Sequence, residues 1–452
     1  MLAHLSVENF FSFKDKTTLS LDHPYNSSEK FKMNTIYSYK DKDSLTRSIL
    51  NGAILFGANA SGKSNLLLAF SFLNYFLTAN EKMHSSKDMI NRPIPFRLSN
   101  DKNDISFDLS FISSVMEDGK NIDVKTYYKI SFDPDDYYVV NEELSYEKIL
   151  KTRLGAKKVI FQRVGDDLHQ SMNGLNKIIE KLSQENIEYK SILAMMNSNI
   201  NKKYYEVEVK STAYKIVQAV YYEITKGFSM NSDYSNLNDF IEKVNENPNF
   251  KEQILAELYD FDFAISDFNI EDITEELIKA VTAFRRDTEK MSEENVENLL
   301  NQIKSRNNYK ITTVHKVKSQ SYELPLDLES DGTKKFLSQS INLFNSLINH
   351  SLYISDEFDS KYHIKIQEGI LKKFLKQGNG GRAQFLVASH NPLLLSSEFF
   401  AKEQICLIEK ERSSQSSFIT YLNDFKDVSY NDHNWTNVYL EGRFGGIPEV
   451  FS

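Results

Sequence analysis

Two periodicities divide the chain. Over residues 2–21 apolar and polar positions alternate in two short stretches, LAHLSVENF and TTLSLD, which predicts a hairpin at the edge of a sheet. Residues 53–56 form a continuous apolar run entering a glycine loop, the mark of a buried strand. After the loop, residues 65–78 (NLLLAFSFLNYFLT) are apolar nearly all round and long enough for a core helix. Alternation returns at residues 105–111, 127–132 and 158–163, so the first 165 residues are expected to form a mixed sheet with one central helix.

From about residue 168 to 308 apolar residues recur three and four apart, in LNKIIEKLSQENIEYKSILAMM, YKIVQAVYYEI and ENVENLLNQIKS. That spacing predicts a mostly helical insertion, and its charge-rich part at 271–306 reads as a solvated helix face. Strand signals resume at 309–317 and continue as short apolar runs at 351–355, 384–388 and 405–409, with helical periods at 333–348 and 363–377. Such alternation argues for a parallel sheet wrapped by helices. The expected organisation is one α/β domain built from residues 1–165 and 309–452, interrupted by a helical insertion over 166–308.

Composition narrows the class. Of 452 residues, 40% are hydrophobic and 26% charged, a balance that excludes disorder of the whole chain. Lys and Arg number 54 against 63 Asp and Glu, so a net charge of -9 leaves no global nucleic-acid footprint. One local stretch is basic: Lys148, Lys151, Arg153, Lys157, Lys158 and Arg163 lie within 16 residues free of acids. It reads as a soluble sheet face or edge, with a salt-sensitive nucleic-acid track as the other reading. A second cluster, Lys372, Lys373, Lys376 and Arg382, suits a helix C-terminus. The single cysteine, Cys406, stands in an apolar run and reads as a small buried hydrophobe in a reducing compartment. Residues 1–13 lack the pattern of a secretion signal, and no run approaches the ~18 apolar residues of a membrane span, so a cytoplasmic protein with no membrane partner is expected.

The chemistry concentrates in four places. Gly57-Ala58-Asn59-Ala60-Ser61-Gly62-Lys63-Ser64 fits the P-loop pattern and sits between a predicted strand and a predicted helix. Its glycines let backbone N–H groups curl around phosphate oxygens, and the helix start adds its positive dipole end. Lys63 is then placed for the β- and γ-phosphates and the Ser64 hydroxyl for Mg2+. Downstream, residues 352–355 end in Asp356-Glu357; alone such a pair is usually solvated, but beside a P-loop one carboxylate can hold the Mg2+ shell while its neighbour polarises a water. Residues 384–388 end in Ser389-His390-Asn391, which puts His390 where ligands bind a parallel sheet, able to sense the γ-phosphate. A serine-hydrolase reading of Ser389 and His390 fails for want of a nucleophile elbow. Ahead of both, Ser330 and Gly332 precede a helix; locally they suit an ordinary N-cap, or a second anion cradle. P-loop, Ser-x-Gly, Asp-Glu and His, in that order, is the arrangement of ABC-type ATPases.

With these pieces the chain resembles the RloA-like and abortive-infection ATPases, AAA-type P-loop proteins related to the RecF, SMC and OLD nucleotide-binding domains. The resemblance rests on VENFFSFKD at 7–15, ILFGANASGKSN at 54–65, LESDGTKKF at 328–336, SDEFDSKYH at 355–363, VASHNPLLL at 387–395 and YLEGRFGGIP at 439–448. It implies ATP binding by Gly57, Asn59, Gly62, Lys63 and Ser64, with Mg2+ on Ser64 and Asp356. It implies a general-base or water-positioning role for Glu357 and a switch role for His390. Ser330 and Gly332 would meet the γ-phosphate of ATP held by another subunit, in a head-to-tail homodimer or higher oligomer. Ser355 within an otherwise apolar strand, and Lys361-Tyr362 before His363, depart from the family pattern and touch the loop around Asp359 and Ser360. No glutamine is assigned to the Q-loop.

The functional expectation is an ABC-type ATPase that hydrolyses ATP between subunits and switches an effector or clamps nucleic acid, by resemblance in bacterial anti-phage defence. A RecF-like DNA repair ATPase and an ATP-binding scaffold with negligible turnover are the alternatives. About 60 residues follow His390, too few for a nuclease or Toprim-like domain, so the effector is expected to be a separate nuclease- or toxin-like protein. Absence of an Asn-Lys-x-Asp segment makes guanine specificity the lesser expectation, though the P-loop itself does not read the base.

Overall fold

The computed structural model describes the chain except residues 80–91, 171–174, 186, 199–208, 232–236, 289–292, 305–307, 376–380, 396–397, 427, 429–434 and 448–452. The N-terminal alternation forms the expected hairpin: Leu2–Glu8 pairs antiparallel with Thr17–Ser20, with Leu5 opposite Leu19. It closes one edge of a seven-stranded sheet whose order is Asp167–Gln170, Lys158–Val164, Val139–Lys148, Lys120–Phe132, Ile105–Glu117, Leu2–Glu8 and Thr17–Ser20. The longest ladder runs from Ile105 opposite Phe132 to Glu117 opposite Lys120. Asp118 and Gly119, both at positive φ, make its turn, as a two-residue hairpin loop with right-handed strand twist requires.

The first 165 residues are not one mixed sheet. The seven-stranded sheet is antiparallel throughout, Asp22–Pro24, Thr46–Leu50 and Thr35–Lys40 form a small antiparallel sheet, and Gly52–Phe56 alone joins a different sheet. That second sheet has the order Phe228–Asn231, Leu352–Ser355, Gln384–Ala388, Gly52–Phe56, Ile405–Lys410 and Ser417–Tyr421. Its four middle strands are parallel. Alternation marks a strand with one wet face, whereas the unbroken apolar run of Gly52–Phe56, buried at every position, marks one covered on both.

The helix Lys63–Thr78 lies in the core shared by the two sheets. Phe72 stacks on Phe107 at 5.3 Å and meets Phe132 edge-on at 5.3 Å, and Phe76 meets Phe132 at 4.8 Å. Leu66, Leu67 and Leu73 belong to the same buried cluster as Ala53, Leu55, Leu386 and Ile408 of the parallel sheet. This explains why the helix reads as apolar nearly all round.

Two compact units make up the chain: Met1–Met230 with Asn345–Ser360 and Ile370–Ser452, and Asn231–Phe344 with Lys361–Gly369. The helices Asn176–Leu182, Ile192–Ser198 and Thr212–Thr225 thus fall in the first unit, and their apolar faces share its core. The second unit contains a three-stranded antiparallel sheet, Asp267–Asp272, Tyr309–Val317 and Gln320–Pro325, and the helices Leu237–Glu246 and Pro248–Asp260.

The basic stretch is not a continuous positive track. Arg163 is buried, donating to the carbonyls of Gly165, Lys190 and Glu188 at 2.7, 2.8 and 3.2 Å. Lys148 pairs with Glu117, and Lys157 with Glu143 at 3.0 Å. Glu117 stands 31 residues before Lys148 and Glu143 14 residues before Lys157, both outside the acid-free stretch. Lys372 and Lys373 do occupy the last turn of Ile364–Leu375, with Lys372 4.2 Å over the Phe399 ring; Lys376 lies outside the described residues. Cys406 is fully buried, which pushes its thiol well above the usual range. Among the described residues no helix is long and apolar enough to cross a membrane.

Removing one ring from the aromatic layer tests how far the sandwich depends on it. Phe107→Ala should lower unfolding free energy by about 3–5 kcal/mol, the range for a fully buried phenylalanine, as a reduced midpoint in urea denaturation.

Candidate functional site

The parallel register assembles the candidate residues. Val387 and Ala388 lie opposite Ile54 and Leu55, Ser355 lies opposite Val387, and Leu407 lies opposite Phe56. The strands therefore end together, and the loops that leave them emerge at one edge. Three backbone N–H groups fix these loops: Ser389 N donates to Leu55 O at 3.0 Å, Phe358 N to Ala388 O at 2.9 Å, and His390 N to the side-chain Asp359 Oδ1 at 3.0 Å.

The loop Gly57–Lys63 needs its glycines for space. A Cβ on Gly57 would stand 2.3 Å from Ile408 O. One on Gly62 would stand 2.6 Å from Ser417 Oγ and 2.7 Å from Ser12 Oγ, and Gly62 has φ +115°, a conformation L side chains rarely adopt. Gly62 is the N-cap of the helix Lys63–Thr78. Asn65 Nδ2 donates to Ser12 Oγ at 3.0 Å, so the N-terminal FFSF segment buttresses the helix start. Ser12, Asn65 and Ser417 acquire this part only through the fold, and serines this ordinary carry no signal of it in the sequence.

Lys63 is only 5% exposed and its ammonium is folded onto the loop, donating to Gly57 O at 2.8 Å and Ala58 O at 3.1 Å. Burial lowers its pKa from the usual lysine value; Asp356, Asp359 and Glu357 oppose the shift without cancelling it. His390 is likewise held below its ordinary value, first by desolvation and then by the Lys63 charge. Lys63, the three acids and His390 thus form one electrostatic cluster. The Ser61 hydroxyl is buried without a hydrogen-bond partner in the same loop, an orphaned donor that a phosphate oxygen would satisfy. Ser64 and Asn59 are exposed.

Asp356 Oδ1 accepts from Glu357 N at 3.0 Å, and Glu357 sits at φ 44°, a left-handed conformation unusual for a glutamate. Strain of this kind persists where surrounding contacts impose it, and here the Phe358 and Asp359 hydrogen bonds do so. The Ser64 hydroxyl and Asp356 carboxylate are hard oxygen donors of the type that would suit Mg2+.

In the second unit, Ser330 Oγ accepts from Thr333 N at 3.1 Å and caps the helix Asp331–Asn349. Gly332 is inside the first turn rather than ahead of it, and a Cβ there would stand 2.9 Å from Lys361 O. Asp331 pairs with Lys334 at 3.5 Å and Lys361 at 3.4 Å. Glu329 accepts from Thr313 Oγ1 at 2.5 Å and lies 2.6 Å from His315 Nε2, which anchors the loop to the strand Tyr309–Val317. Beside it Leu328 is 69% exposed. Gly57, Asn59, Gly62, Lys63, Ser64, Asp356, Glu357 and His390 are thus gathered in the first unit, while Ser330 and Gly332 belong to the second.

Residues 197–396 match the family model described as "AAA domain, putative AbiEii toxin, Type IV TA system". That span holds Ser330, Asp356, Glu357 and His390 and begins after the P-loop. No curated protein matches the chain. Among solved structures, the SMC head domain from Thermotoga maritima is similar to it at 13% sequence identity with a TM-score of 0.35, covering 93% of this chain and 98% of that one. A P-loop sequence thus lies between a parallel strand and a core helix, and the span that follows it, under half of the chain, is similar to this AAA-domain family.

Proposed function

We propose that the protein binds MgATP on Gly57–Ser64 and hydrolyses it to ADP and phosphate. The observation that carries this reading is the parallel register that sets Lys63 beside Asp356, Glu357 and His390. In it Lys63 exchanges the carbonyls of Gly57 and Ala58 for β- and γ-phosphate oxygens, Gly62 and the helix N–H groups cradle the chain, and Asn59 closes over it. Ser64 and Asp356 would hold Mg2+, which would supply neutralisation of phosphate charge. Glu357 takes a proton from the attacking water; the water oxygen bonds to the γ-phosphorus as the bond to the bridging oxygen breaks, and ADP leaves. His390, held below its ordinary pKa by burial and then by the Lys63 charge, positions that water against the γ-phosphate.

Ser330 and Gly332 complete the reading in trans. Ser330 caps the helix whose first N–H groups offer an anion site, and the exposed Leu328 beside it suits a surface that another protomer covers. We therefore propose a head-to-tail homodimer with ATP between protomers, whose closure and release switch a separate effector. The resemblance to RloA-like and abortive-infection ATPases, and the toxin–antitoxin wording of the matched family, favour a defence role for that switch. A nucleic-acid clamp has less support, because the basic stretch is broken by the burial of Arg163 and by pairing with Glu117 and Glu143.

Lys63→Ala should weaken ATP binding about a hundredfold, the consequence of losing charge-assisted bonds to two phosphates, measured by calorimetry. Glu357→Gln should keep ATP affinity while kcat for phosphate release falls by about 10²–10⁴. The same variant should accumulate ATP-dependent dimers in sedimentation velocity. Full turnover by Glu357→Gln would show that another group is the base.

A further inference from the structure

Phosphate chemistry leaves one built feature of the first unit unused. On the flank of the P-loop opposite Asp356 lies a cavity of about 690 Å³, bordered by Asn59, Ala60, Glu409, Arg412, Gln415 and Gly445. Its outer wall is the turn after the helix Trp435–Leu440, where Gly442, Gly445 and Gly446 all adopt positive φ, between +70° and +78°. Tyr439 pins the turn, its hydroxyl donating to Gly446 O at 3.0 Å and its ring 6.0 Å from Phe56 at the end of the P-loop strand. Burial raises the pKa of the half-buried Glu409 above the usual glutamate value, and the Gly446 N–H beside it opposes the shift. A Cβ on Gly445 would fall 1.7 Å from Glu409 Oε1, whereas one on Gly446 would make an ordinary contact 3.7 Å from Gly57 Cα. Gly445 therefore lets this turn press against a carboxylate, and Gly446 lies beside the P-loop.

The polarity of the site says what the cavity is for. Asp356, Glu357 and His390 stand on one flank of the P-loop strand, so the γ end of a bound triphosphate faces them. The α end, with whatever it carries, must leave by the other flank, where Ile405–Lys410 ends at Glu409. We propose that the cavity between the P-loop and the Gly442–Ile447 turn receives the purine nucleoside of the nucleotide, with Glu409 accepting from the N–H edge of the base. The volume falls within the ~300–1,000 Å³ of small-molecule sites. This inference rests on the triphosphate lying on Gly57–Ser64.

Calorimetric affinities of the full chain for MgATP and for magnesium tripolyphosphate, which has no nucleoside, separate the two ideas. Wild type should bind ATP at least about tenfold more tightly than tripolyphosphate. Glu409→Ala, and Gly445→Ala through displacement of Glu409, should each lose about tenfold for ATP, the scale of one hydrogen bond to a charged acceptor. Tripolyphosphate affinity should stay within about twofold, which also reports an intact P-loop. Equal losses for both ligands, or unchanged ATP binding in Glu409→Ala, overturn the nucleoside pocket alone. Failure of wild type to bind either ligand overturns the P-loop reading, and this inference with it.

Discussion

Everything at the candidate site depends on parallel pairing of three short strands. Gly52–Phe56 lies hundreds of residues before Leu352–Ser355 and Gln384–Ala388, yet their register brings Phe56, Ser355 and Ala388 to one edge. A slip of one residue would turn each buried side chain to the other face of the sheet. The register is held at both ends. At the start, Gln384 exchanges bonds with Leu2 N and O at 2.7 and 3.0 Å and donates to Leu50 O at 3.1 Å. Gln404 donates to Asn51 Oδ1 at 2.8 Å and Gly52 O at 3.0 Å. At the finish, the loops bond to the neighbouring strands through Ser389, Phe358 and His390.

Buried polar groups of this kind cost stability unless satisfied, and here they are satisfied by strands of different sheets. Gln384 ties the parallel sheet to the first strand of the antiparallel one. Asp22 does the same for the small sheet: burial works to raise its pKa, but Lys125 at 2.6 Å, Tyr39 and Arg47 outweigh that and hold its carboxyl below the usual range. The stability this network adds is therefore complete above the ordinary aspartate range and is lost as pH falls through the lowered value.

Electrostatics give the site its readiness. Lys63 is buried beside three acids that offset its desolvation only in part, and its ammonium donates to the carbonyls of Gly57 and Ala58. Desolvation first, and the same charge second, hold His390 below its ordinary pKa. Removal of any one member shifts the balance of the others, so their contributions are coupled rather than additive.

Much of this was legible from the amino-acid order because its causes are local. Glycines at 57 and 62 with Lys63 and Ser64 between an apolar run and an apolar helix announce a phosphate loop, since the backbone geometry and the side-chain chemistry sit in eight consecutive residues. The strands ending at Asp356 and His390 were equally visible as short apolar runs. Partners were not. Alternation reports a half-wet strand but not which strand it joins, so the antiparallel sheet and the parallel one merged into a single expectation. Arg163 counted as part of a basic track until the carbonyls of Gly165, Glu188 and Lys190 surrounded it. Asp359, Ser12, Ser417 and Glu409 gained their places only when remote segments met. Periodicity and loop chemistry act over a few residues and are written in the sequence; pairing, burial and the fields between charges depend on distances that only the folded chain sets.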